Sequence, residues 1–227
     1  MSCRMRAGAL ALILPGLLTL PLSAESASYE AGLLLGTHGG PAGTAQITIA
    51  DFSPNLNWEA RFGATYSTRD PGSPKDARRI FINDATNGIP EEDGRLWTLS
   101  LDLLVPVWSG RSGAEVSVFG GPRYGSFTGN FAFIGGNEDF DIRERTWAFG
   151  GGVQDRLPLG RRTSLLLVAG ADYYLETDLK GHDTTYTPDD ENVNPRKDYD
   201  YDDADEAVNQ PKLEARVMAG IVVSFGK

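Results

Sequence analysis

The stretch from Leu213 to Lys227, LEARVMAGIVVSFGK, decides the fold. Successive side chains of a strand point to opposite faces. One face takes Leu213, Ala215, Val217, Ala219, Ile221, Val223 and Phe225, all apolar. With Lys212 just ahead, the other takes Glu214, Arg216, Met218, Gly220, Val222 and Ser224. A soluble sandwich or barrel would bury the first face, whereas a membrane barrel would turn it to lipid. The rest of the chain discriminates between them.

After residue 27 period-two alternation dominates and helical periodicity is nearly absent. The pattern predicts eight strands, over about 28–38, 43–52, 57–69, 95–107, 113–127, 143–157, 163–177 and 211–226. In the third, Trp58, Ala60, Phe62, Ala64 and Tyr66 oppose Glu59, Arg61, Gly63, Thr65 and Ser67. In the fourth, Trp97, Leu99, Leu101, Leu103, Val105 and Val107 oppose Thr98, Ser100 and Asp102. In the seventh, Leu165, Leu167, Ala169, Ala171, Tyr173 and Leu175 oppose Ser164, Gly170, Asp172 and Glu176. The second strand is the least regular, its phase breaking at Asp51-Phe52 as a bulge would.

The connections fall into two classes. SPNLN, SGRSG and PLGRR are short and rich in turn residues. GGPAG and three longer joints, about 70–94, 128–142 and 178–210, alternate with them. In an up-and-down meander this order places the short turns and both termini at one end, and the long loops at the other. Short periplasmic turns, longer external loops and an even strand number describe a transmembrane β-barrel. The polar faces carry few charges, of both signs, mixed with Gly, Ser and Thr, which suits the narrow lumen that eight strands leave.

Aromatic residues agree with that orientation. Tyr29, Phe52, Trp58, Trp108 and Phe225 fall near the short-turn end, and Tyr66, Trp97, Tyr124, Trp147 and Tyr173 toward the long-loop end. Rings at both rims are the girdles expected at membrane–water interfaces.

The N-terminus reads as an export signal. Arg4 and Arg6 precede an apolar run from Ala7 to Leu22, and small residues follow around Ala24. Pro15 and Pro21 interrupt the run, which is shorter than the roughly 20 residues of a spanning helix. The expected division is a signal peptide over 1–24 and a barrel domain over 25–227. The single cysteine, Cys3, falls in the removed segment, leaving neither thiol nor disulfide. Cleavage removes two of 21 basic residues and none of 31 acids, so the net charge goes from −10 to −12. Such an acidic chain is a poor candidate for nucleic acid.

The architecture over about 28–227 resembles the small eight-stranded outer-membrane β-barrels of Gram-negative bacteria, of the OmpA and OmpX kind. The resemblance implies residence in the bacterial outer membrane, with outer-membrane lipid and lipopolysaccharide as surroundings. Proteins of that class usually end in an aromatic that the barrel-assembly machinery recognises. Phe225 holds that position, with Gly226 and Lys227 beyond it.

Three groups of residues are candidates for function. Glu30, Glu59, Arg61, Asp102, Glu115, Arg123, Arg156, Asp172, Glu214 and Arg216 fall on inward faces, six acids and four arginines in one lumen. Arginine–carboxylate forks satisfy many donors at once and suit such a place. These residues form either a polar plug or a narrow small-solute conduit. The second group is loop 178–210, with eleven acids and three basic residues. Its DYDYDDADE does not make a calcium loop: counted from Asp198, the glycine slot holds Asp203 and the glutamate slot Asn209. Diffuse binding of divalent ions, bridging to lipopolysaccharide, is the remaining metal reading. The third group is His38, His182 and Ser126. Gly181-His182-Asp183 resembles the His–Asp pairing of outer-membrane proteases, and a lipid-modifying enzyme would need a nucleophile such as Ser126 held by His.

The expectation is therefore a non-enzymatic barrel without cofactor or metal site, with a structural or surface-interaction role through its acidic external loops. A channel, and a lipid-modifying enzyme or protease, are the alternatives.

Overall fold

The computed structural model describes residues 28–51 and 57–225. The segment 1–24, Phe52 and most of the turn at 53–57 lie outside the described residues. Seven strands come first: β1 (Ser28–His38), β2 (Pro41–Ala50), β3 (Glu59–Arg69), β4 (Ile89–Ser109), β5 (Glu115–Ile134), β6 (Glu138–Pro158) and β7 (Thr163–Tyr174). Two short ones, β8 (Leu179–Lys180) and β9 (Thr185–Tyr186), precede the last, β10 (Leu213–Phe225). Helices α1 (Pro74–Phe81) and α2 (Tyr201–Ala207) lie in the long connections. Each of β1 to β6 pairs antiparallel with the next, β7 pairs with β10, and β10 closes on β1 from Tyr29↔Phe225 to His38↔Arg216. The result is a closed eight-stranded antiparallel barrel with no free edge at its girth.

Its burial is inside out relative to a soluble barrel. Arg61, Asp102, Arg123, Asp172, Glu214 and Arg216 are buried, while Leu33, Leu35, Phe62, Leu101 and Val217 are more than half exposed. Between the girdles the outward faces of β1, β3, β4, β7 and β10 carry no charged side chain. That surface has hydrocarbon as its solvent, where a Lys or Arg at mid-depth would cost roughly 2–4 kcal/mol. No helix among the described residues is long and apolar enough to cross a membrane, so strands do the crossing.

Three corrections concern the long joints. The stretch 128–142, expected as a loop, is a hairpin extension: β5 runs to Ile134 and β6 starts at Glu138. β4 likewise starts at Ile89, inside the joint expected over 70–94, and the rest of that joint forms α1. The joint 178–210 folds into β8, β9 and α2. The physical reason is that the sheet outgrows the membrane. Beyond the outer girdle the inward face of β5 is Phe127, Phe131 and Phe133, and that of β6 is Phe140 and Ile142, all buried. The outward face there is Asp93, Arg95, Asp139, Arg143 and Arg145. Water has replaced lipid outside, so the polarity of the two faces inverts.

A second core fills this extension. Ala77, Ile80 and Phe81 of α1 pack with Tyr201, Ala204 and Ala207 of α2, Tyr186 of β9 and the buried phenylalanines of β5 and β6. Ser73 caps α1, with Pro74 at its first position, and an Asp200/Asp203 capping box starts α2. The helix ends are tied to each other where Ser73 N donates to Ala207 O at 2.9 Å and Asn209 N to Pro71 O at 2.9 Å.

Candidate functional site

The lumen is where buried charge converges. Asp102 on β4 accepts from Arg61 on β3 through Nε at 3.1 Å and a terminal nitrogen at 2.8 Å. Its second oxygen lies 2.7 Å from Arg123 on β5. Arg123 also reaches across to Asp172 on β7, 3.1 Å from Nε. Asp172 accepts from Arg216 on β10 at 2.6 and 2.5 Å, and His38 Nε2 at the end of β1 stands 3.0 Å away. Gln154 on β6 accepts from Arg61 at 2.7 Å. Seven side chains from seven of the eight barrel strands thus form one continuous network spanning the lumen. The Arg61 guanidinium lies over the Phe119 ring at 4.4 Å, which covers the charge with an apolar face.

A second cluster sits nearer the short-turn end. Arg156 on β6 meets Glu30 at 2.9 Å, Glu59 at 3.0 Å and Glu115 at 3.5 Å. At the other end Arg69 on β3 meets Glu214 on β10 at 2.8 Å, with its guanidinium over Phe127. Above that pair lies Glu144 of β6, three residues beyond Trp147 and therefore outside the membrane-spanning segment. Glu144 is 2% exposed and neither carboxylate oxygen has a hydrogen-bond partner. Burial raises its pKa to about 8, against a lowering by Arg69.

The rims hold the aromatics. Tyr66 and Trp97 face each other across β3 and β4 with centroids 4.9 Å apart, and Tyr124 and Trp147 across β5 and β6 at 5.3 Å. Tyr173 is directly opposite Phe149 on β6. At the other rim Tyr29 and Phe225 are register partners, and Trp58 and Trp108 are exposed.

All ten inward charges expected from alternation lie in the two lumen clusters or the Arg69–Glu214 pair. Sequence reasoning missed Arg69, Gln154 and Glu144, and did not foresee His38 in the lumen. Arg69 and His38 stand at strand ends, where phase gives no guide, and Gln154 carries no charge to single it out. His182 remains outside, beside Asp183 at 3.6 Å and largely exposed. Ser126 faces outward between Trp97 and Arg145, across the wall from His38. The histidine–serine pairing that the enzyme alternative would need therefore does not form between these residues.

Three acids of 178–210, in α2 and its cap, are engaged locally, and Arg196 of the same segment holds a fourth from outside it. Asp200 and Asp203 form the α2 cap, Asp205 meets Lys212 at 2.6 Å, and Arg196 meets Asp84 of the α1 connection at 2.7 Å.

A closed antiparallel barrel with charge inside, hydrocarbon-compatible side chains outside and two aromatic rims has the fold of the eight-stranded bacterial outer-membrane β-barrels. A solved structure shares the architecture. A major outer membrane protein from Thermus thermophilus superimposes with a TM-score of 0.72 at 23% identity, over 88% of this chain and 100% of that one. Neisserial surface protein A gives 0.43 at 9% identity, over 88% and 96% of the two chains. Ail, the attachment invasion locus protein of Yersinia pestis, gives 0.40 at 11%, over 88% and 97%. No family model matches the sequence, and no curated protein matches it.

Proposed function

We propose that this outer-membrane barrel is non-enzymatic, plugged by its own side chains, and acts through the ordered external platform of α1, α2 and the β4–β6 extension. In this reading residues 1–24 export the chain and are removed. The assembly machinery takes the final strand through Phe225. Outer-leaflet lipid and lipopolysaccharide surround the wall, and a surface ligand meets the platform. The observation that carries the reading is Asp172, fully buried in the lumen at the level of the outer girdle and held by Arg123, Arg216 and His38 from three other strands. Charges that neutralise each other across the bore close it, whereas a conduit needs them free to face water. The platform supports the second half: a packed apolar core outside the membrane costs chain length and sequence that a mere hairpin tip does not need.

The test exchanges residues 178–210 for a short Gly/Asn turn. Cells displaying each form are compared for attachment to one another and to protein-coated surfaces. The proposal expects attachment to fall while the barrel keeps its heat-dependent gel shift. Unchanged attachment with an intact barrel would remove the platform from the account.

A further inference from the structure

The outer mouth of the lumen is roofed. Tyr201, Ala204 and Ala207 of α2, with Val208 after it, pack in one apolar cluster with Leu96, Phe127, Ala148 and Tyr174, inward side chains of the wall at and above the outer girdle. The chain then turns into β10, where Lys212 O accepts from Tyr174 N at 2.7 Å. Glu144 lies under this roof. Its register partner on β5 is Phe127, whose ring faces the Arg69 guanidinium inside the bore. It is buried, and neither of its oxygens has a hydrogen-bond partner. A buried carboxyl without partners is tolerable only while it keeps its proton.

The charged and titratable groups that face it come from β3, β10, α2 and the chain between α2 and β10. Arg69 of β3 is held by Glu214 of β10 at 2.8 Å. Lys212 is held by Asp205 of α2 at 2.6 Å. Gln210 donates both to Asp205 and to the Tyr201 hydroxyl. β5 presents only apolar Phe127. Along β6 itself, Arg143 and Arg145 lie on the other side of the wall, and His182 is largely exposed beyond it. Both nearby cations are thus already paired. Once ionised, Glu144 makes three carboxylates for two cations. It then gains a partner by drawing Lys212 off Asp205 or by letting water in under the roof. Either loosens the tie between α2 and the start of β10.

We propose that Glu144 is a proton-operated latch: with its proton it keeps residues 201–212 seated over the outer mouth, and on losing it releases them. Burial raises its pKa to about 8, so the latch works around neutral and mildly alkaline pH. Burial pushes the Tyr201 hydroxyl up to about 12, which leaves it neutral across that range. The latch concerns how the roof is seated and not what the platform binds, so it stands or falls separately from the attachment reading.

Amide hydrogen exchange in residues 201–212 of the folded protein in dodecyl maltoside micelles tests this, read by mass spectrometry between pH 6 and pH 9. Each rate is taken as a ratio to that of Glu144→Gln at the same pH, which cancels the intrinsic pH dependence of exchange. The glutamine keeps the shape of the side chain and stays neutral. Opening carries Glu144 from a site where it holds its proton up to about pH 8 into water, where it releases it near 4.5. The roof is therefore most secure below about pH 4.5, and its hold declines as pH rises toward 8. The ratio should rise by up to about tenfold per pH unit between pH 6 and pH 8, then level off. Asp205→Asn frees Lys212 for Glu144, so it should move the levelling to lower pH while the heat-dependent gel shift stays intact. A flat ratio from pH 6 to pH 9, a rise spread evenly over the barrel strands, or a rise abolished by His182→Gln overturns the latch.

Discussion

Replacing Asp172 by alanine removes the carboxylate on which two arginines and His38 converge in the lumen. Arg123 keeps a partner, because Asp102 lies 2.7 Å from it. Arg216 does not: its ion pair is with Asp172, and it is only 6% exposed. The substitution thus strands one guanidinium inside the barrel. Breaking a buried pair from one side costs roughly 3–5 kcal/mol, mostly the penalty of the orphaned charge. Urea unfolding of the barrel in phosphatidylcholine vesicles, followed by tryptophan fluorescence, measures this. A loss in that range is expected for Asp172→Ala. Asp172→Ala combined with Arg216→Met removes the orphan as well, so it should fall short of the sum of the single effects by about 1–3 kcal/mol. A loss below about 1 kcal/mol, or strict additivity, would refute the reasoning: water would have to reach Arg216, and the plug would not be dry.

Three further outcomes are expected. A Cβ at Gly150 would collide with the Asp172 carboxylate, which its cations hold in place, whereas one at Gly160 meets nothing within 4 Å. Gly150→Ala should therefore cost about 1–3 kcal/mol in the same urea assay, and Gly160→Ala nothing measurable. Phe81 is buried in the outer core, edge-on to Tyr186 at 5.2 Å. Phe81→Ala should cost the platform about 3–5 kcal/mol, seen as faster tryptic cleavage between 178 and 210 with the gel shift of the barrel unchanged. Glu144 keeps in the folded state, up to about pH 8, a proton that the unfolded chain releases near 4.5. Its contribution to stability is therefore full below about pH 4.5, declines as pH rises toward 8, and is level above that, by at most about 5 kcal/mol. Glu144→Gln should flatten this decline in urea midpoints taken at pH 5, 7 and 9.

The membrane-spanning part of the fold was legible because lipid imposes one rule on every strand. β1 matches the expected 28–38 at both ends, and the closing alternation of β10 runs from Leu213 to Phe225. Errors began at Leu96 and Phe127, where apolar side chains turn inward and charges turn outward. An expectation of apolar-out strands stops there, although the backbone ladder continues for several more residues in β4, β5 and β6. The helices were unreadable for a different reason. Eight and seven residues give too few turns for a periodic signal, and both depend on the core beneath them. The inward charges followed from phase alone, but not their partners. Which arginine meets which carboxylate depends on how the barrel closes, and the sequence carries no mark of the stagger that brings His38 to Asp172.

The central claim is that side chains close the bore. Single-channel recording of the refolded protein in a planar bilayer tests it most directly, with the heat-dependent gel shift confirming that the barrel has formed. Silence from the unaltered barrel is predicted at all applied voltages. Discrete, reproducible conductance steps would contradict the plug and make the paired charges the lining of a conduit.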